Sequence, residues 1–207
     1  MVWGVSPNGR QGRGRRRDRR RLGLIAACGL CVLAGVARAQ EGGPATREAR
    51  SPHQGAYPVK AVHLARFPAF VAWPTAVFET AESPLRLCIG GSDPFGPAID
   101  RIAREERIGD HPITVVRLPA VAKGADCQML FLSASRDQTP REALAAVAGR
   151  PVLTIADEGV DAPGAMIQFV TLEGRLRFEI RAEAAQAEGL VVSSKLLSLS
   201  ARGSGER

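Results

Sequence analysis

The sequence has few of the side chains that most often carry chemistry. It holds three histidines, four cysteines and one tyrosine in 207 residues. It contains no GxSxG elbow, no GxGxxG and no GxxxxGK[ST]. Elbow hydrolase, dinucleotide and P-loop chemistry therefore have no motif to stand on. There is no HxxxH, and no CxxC outside residues 28–31, so a zinc site lacks its usual spacing. No apolar run reaches the roughly 18 residues of a membrane-spanning helix.

What is present begins with charge. The formal net charge is +7 and the isoelectric point about 10.0. That balance suggests nucleic acid until the chain is divided. Residues 1–39 carry nine arginines and one acid, Asp18, leaving 19 basic and 20 acidic residues from Gln40 on. No basic field for DNA or RNA remains. Residues 1–39 read as a secretory leader. An arginine-rich stretch runs to Arg21, an apolar stretch covers Leu22 to Val36, and Ala37-Arg38-Ala39 is a small-x-small cleavage site. A twin-arginine signal at Arg19-Arg20-Arg21-Leu22, a lipoprotein box ending at Cys28 and a retained anchor are the weaker alternatives. Export predicts an extracytoplasmic, oxidising compartment. Two cysteines, Cys88 and Cys127, remain there, and one disulfide is their simplest state. Two buried thiols or a metal site are the alternatives.

Gln40 to Tyr57 is rich in Gly, Pro, Ser and charge and predicts a flexible arm. Val59 to Trp73 has helical apolar spacing through Leu64, Phe67 and Val71, with a kink expected at Pro68. Strands are expected at Leu85–Ile89, Ile113–Leu118, Cys127–Leu132 and Pro151–Ala156. A helix capped at Ser92 or Asp93 follows the first. Another at Pro140–Val147 carries the Thr139/Glu142 capping-box spacing. Ala165–Val170 and Leu176–Ile180, joined at Glu173-Gly174, read as a hairpin. Helical stretches from Ala182 and Val192 close the domain at about residue 200. Residues 201–207 read as a disordered tail. The pattern predicts an α/β fold, Rossmann-like: a mixed, largely parallel sheet with a late β-hairpin, flanked by helices.

Sites are sparse. Gly90 to Gly96 sits where phosphate loops sit, but it lacks a cation and reads as a plain turn. Ser133 or Ser135 with His111 and Asp126 could only notionally form a triad. His63 and His53 offer nothing better. Asp157, Glu158 and Asp161 read as a solvated acidic loop, with a partner's arginine or a metal ion as the functional alternative. The aromatics Phe67, Phe70 and Trp73 read as core, with a partner-facing patch as the functional alternative. Arg175 and Arg177, with Arg181, read as a charged outer face or a docking edge.

Tyr57-Pro58-Val59-Lys60-Ala61 through Phe70-Val71-Ala72-Trp73-Pro74 resembles the N-terminal signature of the YfiR family. Leu87-Cys88-Ile89-Gly90 with Asp93-Pro94-Phe95-Gly96, Cys127 before Met129-Leu130-Phe131-Leu132-Ser133, Val152 to Asp157, Met166 to Phe169, Arg177 to Ile180 and Lys195-Leu196-Leu197 follow in that family's order. The resemblance covers about Tyr57 to Leu199. It implies a periplasmic, non-enzymatic protein without a cofactor, which inhibits an inner-membrane diguanylate cyclase through its periplasmic region and lowers cyclic-di-GMP signalling and biofilm formation. It also implies release by an outer-membrane lipoprotein and places Cys88 and Cys127 at the family's shared disulfide. A second copy of the chain is a further candidate partner. A second cysteine pair found in some members is absent, and Gly164-Ala165-Met166 stands where Gly-Gly-Met is usual. The competing reading is a periplasmic small-molecule binding protein with the Gly90–Gly96 turn at the mouth of its cleft.

Overall fold

The computed structural model describes residues 54–201. The expected leader, most of the arm and the tail from residue 202 lie outside them. A single 3-10 turn, Gln54–Ala56, leads into α1 (Tyr57–Arg66). Of the residues expected in the arm, Gln54–Ala56 form this turn and Tyr57 is the first residue of a helix. The helix predicted through Trp73 stops at Arg66, because Pro68 has no N–H to continue it. Phe67 N–H still bonds the His63 carbonyl, and the chain then tightens into a 3-10 turn over Phe67–Phe70. Next comes a two-residue strand, β1 (Val71–Ala72).

β2 (Leu85–Gly90), α2 (Pro97–Glu105), a short β3 (Arg107–Ile108) and β4 (His111–Leu118) follow. α2 starts later than Ser92 or Asp93 as cap would allow. Asp93 instead closes a turn, its Oδ1 accepting from Phe95 N–H at 2.7 Å and Gly96 N–H at 3.2 Å. β5 (Met129–Leu132) leads to α3 (Pro140–Val147), whose Thr139/Glu142 capping box forms as expected. β6 (Leu153–Ala156), β7 (Ile167–Leu172), β8 (Arg175–Ile180), α4 (Ala182–Ala187), β9 (Val191–Val192) and α5 (Ser194–Leu197) complete the domain.

Seven strands form one sheet in the order β3-β4-β2-β5-β6-β7-β8. The five inner strands are parallel, with an antiparallel strand added at each side. This is the predicted mixed α/β sheet with its late hairpin. The hairpin turn needs positive φ at both central residues, met by Glu173 at 51° and Gly174 at 72°. β1 and β9 form a separate antiparallel ribbon.

Alternation along the inner strands sends side chains into two cores. Leu85, Leu87, Ile89, Met129, Phe131, Leu153 and Ile155 join residues of α1 and α2 on one face. Cys88, Leu130, Leu132 and Ala156 join Ala143 and Val147 of α3 on the other. Burial on both faces explains the unbroken apolar runs of β5 and β6. Cys88 and Cys127 are bridged, with Cα atoms 5.8 Å apart. The bridge ties β2 to the segment entering β5, its parallel neighbour.

Candidate functional site

The carboxyl ends of parallel strands are where α/β folds usually bind ligands. At β2 that end is braced by neighbouring backbone and by Asp93 and Arg117. Gly91 N–H bonds the Leu118 carbonyl and Ser92 N–H the Ala134 carbonyl, both at 2.9 Å. Gly91 takes φ 93°, and a Cβ there would come within 2.8 Å of the Ala134 oxygen, so only glycine fits this close approach. Asp93 also accepts from Arg117 Nε at 2.8 Å, and Arg117 Nη2 reaches Asp100 Oδ2 at 2.6 Å and the Gly96 carbonyl at 3.0 Å. The Arg117 hydrogen bond holds the Asp100 carboxyl below the usual carboxylate range. The Gly90–Gly96 segment is thus a tied strand-to-helix turn. The cavity beside it, lined by Tyr57, Pro58, Ala61, Pro94, Phe95 and Ala98, measures about 180 Å³, below the roughly 300 Å³ at which ligand pockets begin.

The notional triad is dispersed. Ser133 Oγ donates to the Gly90 carbonyl at 3.3 Å and also to Ser92 O. His111 Nδ1 lies 2.7 Å from the Ser83 carbonyl, and its ring stacks on Phe78 at 3.9 Å. Asp126 pairs with Arg86. His63 packs among Phe67, Phe169 and Phe178. Burial, and secondarily the Arg66 charge, push its pKa below the ordinary imidazole value. No group of three metal-ligating side chains occurs among the described residues.

The acidic loop differs from its expected form. Asp157 is buried, and its Oδ1 accepts from Lys60 Nζ at 2.6 Å. Lys60 is 1 % exposed, on the inward stripe of α1 with Leu64. Tyr57 Oη donates to Asp157 Oδ2 at 3.1 Å, and the Glu158 N–H to Asp157 Oδ1 at 2.8 Å. Lys60 also lies over the Tyr57 ring, 4.9 Å from its centroid. Only Asp161, of the three acids, stands fully in solvent. Sequence patterning missed this pair because a lysine and an aspartate 97 positions apart carry no local signal. The usable hint was Lys60 one helical turn before Leu64, on the apolar stripe.

The same cluster gives a direct titration. Burial first, then the Asp157 charge and its hydrogen bond, push the Tyr57 phenol up to about 12. Tyr57 is the only tyrosine in the chain. Absorbance at 295 nm should therefore show no phenolate in the folded protein near pH 10, the ordinary value. Ionisation should appear only towards pH 12. A raised folded pKa means this contribution to stability is complete below about pH 10 and fades as pH rises through 12. A midpoint at 10 in folded protein would remove the Tyr57–Asp157 contact.

The aromatic segment divides. Phe67 is 2 % exposed and packs edge-on against Phe178 at 5.1 Å, so it belongs to the core and presents no face to a partner. Phe70 and Trp73 are half-buried. Trp73 Nε1 donates to the Gln128 carbonyl at 3.3 Å, and Lys195 Nζ lies 5.7 Å from the Phe70 ring centroid. In the β1–β9 ribbon Ala72 stands opposite Val191. Ala72 is exposed, and Val191 is 65 % exposed. The ribbon thus shows water the aliphatic pair Ala72 and Val191, flanked along the chain by Phe70 and Trp73. Arg175 and Arg177 stand exposed on β8, while Arg181 turns back to donate to the Ala165 carbonyl at 2.6 Å.

No helix among the described residues is long and apolar enough to cross a membrane. The family model described as YfiR/HmsC-like matches residues 57–201. No curated protein matches the chain.

Proposed function

The chain belongs to the YfiR/HmsC-like family, and from that premise we propose that it is a periplasmic, non-enzymatic regulator. In this reading it binds the periplasmic region of an inner-membrane diguanylate cyclase and lowers cyclic-di-GMP output, and an outer-membrane lipoprotein releases it. The family match over 57–201 carries the reading. The employment of Ser133, His111, Asp93, Lys60 and Asp157 in structural contacts supports it. The expected leader would supply the route to the periplasm. Deleting the gene should raise cyclic-di-GMP, and an unchanged level would count against the regulator.

The contact surface we assign is the β1–β9 ribbon with Phe70 and Trp73. Apolar side chains left in water beside half-buried aromatics are the usual make-up of an interface centre. Val191→Asp adds a charge where Val191 is already exposed, so folding should survive. Affinity for the periplasmic region of the cyclase should fall roughly 30-fold, the loss typical of an interface hot spot. Phe70→Asp should do the same. Pull-down or calorimetry with both variants, checked for an unchanged melting temperature, reads the effect. Full affinity in both would remove the ribbon as the contact.

A further inference from the structure

We propose that the outer edge of β8 accepts an added strand from a partner protein, and that the strand it selects is extended and acidic at alternate positions. The proposal rests on the protein-binding reading above but not on the β1–β9 ribbon. β8 is the last strand of the seven-stranded sheet. Arg181 N–H bonds the Met166 carbonyl at 2.8 Å, one step beyond the Ile167–Ile180 pair. That bond sets the parity of the antiparallel ladder. Arg175, Arg177 and Glu179 turn their backbone groups toward β7. Leu176, Phe178 and Ile180 turn theirs outward. None of these three outward N–H or C=O groups bonds another described residue. The edge is therefore a six-residue template with its hydrogen bonds unmade.

Side chains choose the occupant. Arg175 and Arg177 lie on one face of β8, beside Leu172 and Val170 of β7. Both arginines are exposed and have no ion-pair partner among the described residues. A strand laid along β8 would place every second side chain next to this arginine row, so acidic residues at i and i+2 complement it. Glu179 follows on the same face, so the acidic positions of the added strand belong opposite Arg175 and Arg177, and a second copy paired β8 to β8 is the competing occupant that concentration dependence detects. An acidic strand from another protein is the favoured occupant.

The probe is a capped octapeptide alternating Glu with Val, compared with its Lys/Val counterpart, added to the disulfide-bonded protein. Amide hydrogen exchange is followed residue by residue. The Glu peptide should slow exchange at Leu176, Phe178 and Ile180 at least 10-fold, and the Lys peptide should not. The double variant Arg175→Glu/Arg177→Glu should reverse that preference. Unchanged exchange at the three amides would overturn the proposal, as would protection indifferent to the charge reversal. So would protection without peptide that grows with protein concentration, because a second copy would then hold the edge. Cyclase binding by the ribbon is measured separately, so either idea can fail alone.

Discussion

Replacing Lys60 by alanine should destabilise the folded domain by about 3–5 kcal/mol, the usual cost of stripping one partner from a buried ion pair. Lys60 and Asp157 lie 2.6 Å apart, with side chains 1 % and 5 % exposed. Removing the ammonium leaves Asp157 charged, buried and held only by Tyr57 and the Glu158 amide. Asp157→Ala should cost a similar amount for the mirror-image reason. The double change Lys60→Met/Asp157→Leu should recover most of the loss, because paired burial of charge gives little net stability over apolar packing. Urea unfolding of the four proteins reads all of this in the midpoints. Single-variant losses under about 1 kcal/mol would show that water reaches the pair. The effect should extend beyond stability. α1 is pinned by this pair to the end of β6, and it leads through Phe67 into the ribbon that carries Phe70. Loosened anchoring should therefore weaken partner binding at sub-denaturing temperatures.

The double variant Cys88→Ala/Cys127→Ala should lose about 4 kcal/mol, the loop-closure entropy of a bridge spanning 39 residues. For a domain of this size that corresponds to a melting temperature lower by on the order of 10 °C. The bridge closes a loop containing β2's carboxyl end, α2, β3 and β4, so its loss frees one whole side of the sheet in the unfolded chain. Both cysteines are buried beside Val121, Leu130 and Val147, and part of the loss will be cavity formation. Reduction of the unmutated protein without substitution separates the two contributions. A melting temperature unchanged by both treatments would remove the staple as a stabilising element.

These two predictions also divide what could be read early from what could not. Local signals located most elements well. The capping box at Thr139 and Glu142, the Glu173-Gly174 turn and the β-branched run before Leu118 each state their conformation within a few residues. Pro68 announced a break, and only its severity was misjudged. A kinked helix and a helix that ends share the same missing hydrogen bond, and the pairing of Val71 with Val192 decides between them. That pairing spans most of the domain and has no local trace. Asp93 was misplaced for a related reason. An aspartate before a proline can cap a helix or close a turn, and Arg117, reaching in from β4, favours the turn.

The candidate surfaces followed the same division. Spacing set Phe67 on the apolar stripe with Leu64 and Val71 and left Phe70 and Trp73 beside it, and the fold buries the first and half-buries the other two. Strand alternation put Arg177 and Glu179 on the face opposite Phe178 and Ile180, while Arg181, grouped with the outer arginines, turns back to the Ala165 carbonyl. That β8 is the outermost strand follows from sheet order alone.

The amino-acid sequence by itself determined the α/β class, the family resemblance, Cys88 and Cys127 as the candidate bridge and the lack of elbow, dinucleotide and P-loop motifs. These follow from composition, short-range periodicity and local backbone chemistry. Tertiary structure alone decided that Lys60 and Asp157 meet in the interior, that β1 and β9 make a ribbon and that β8 is the last strand of the sheet among the described residues. Each of those depends on which distant segments come into contact, and burial energy, summed over both faces of the sheet, selects that arrangement.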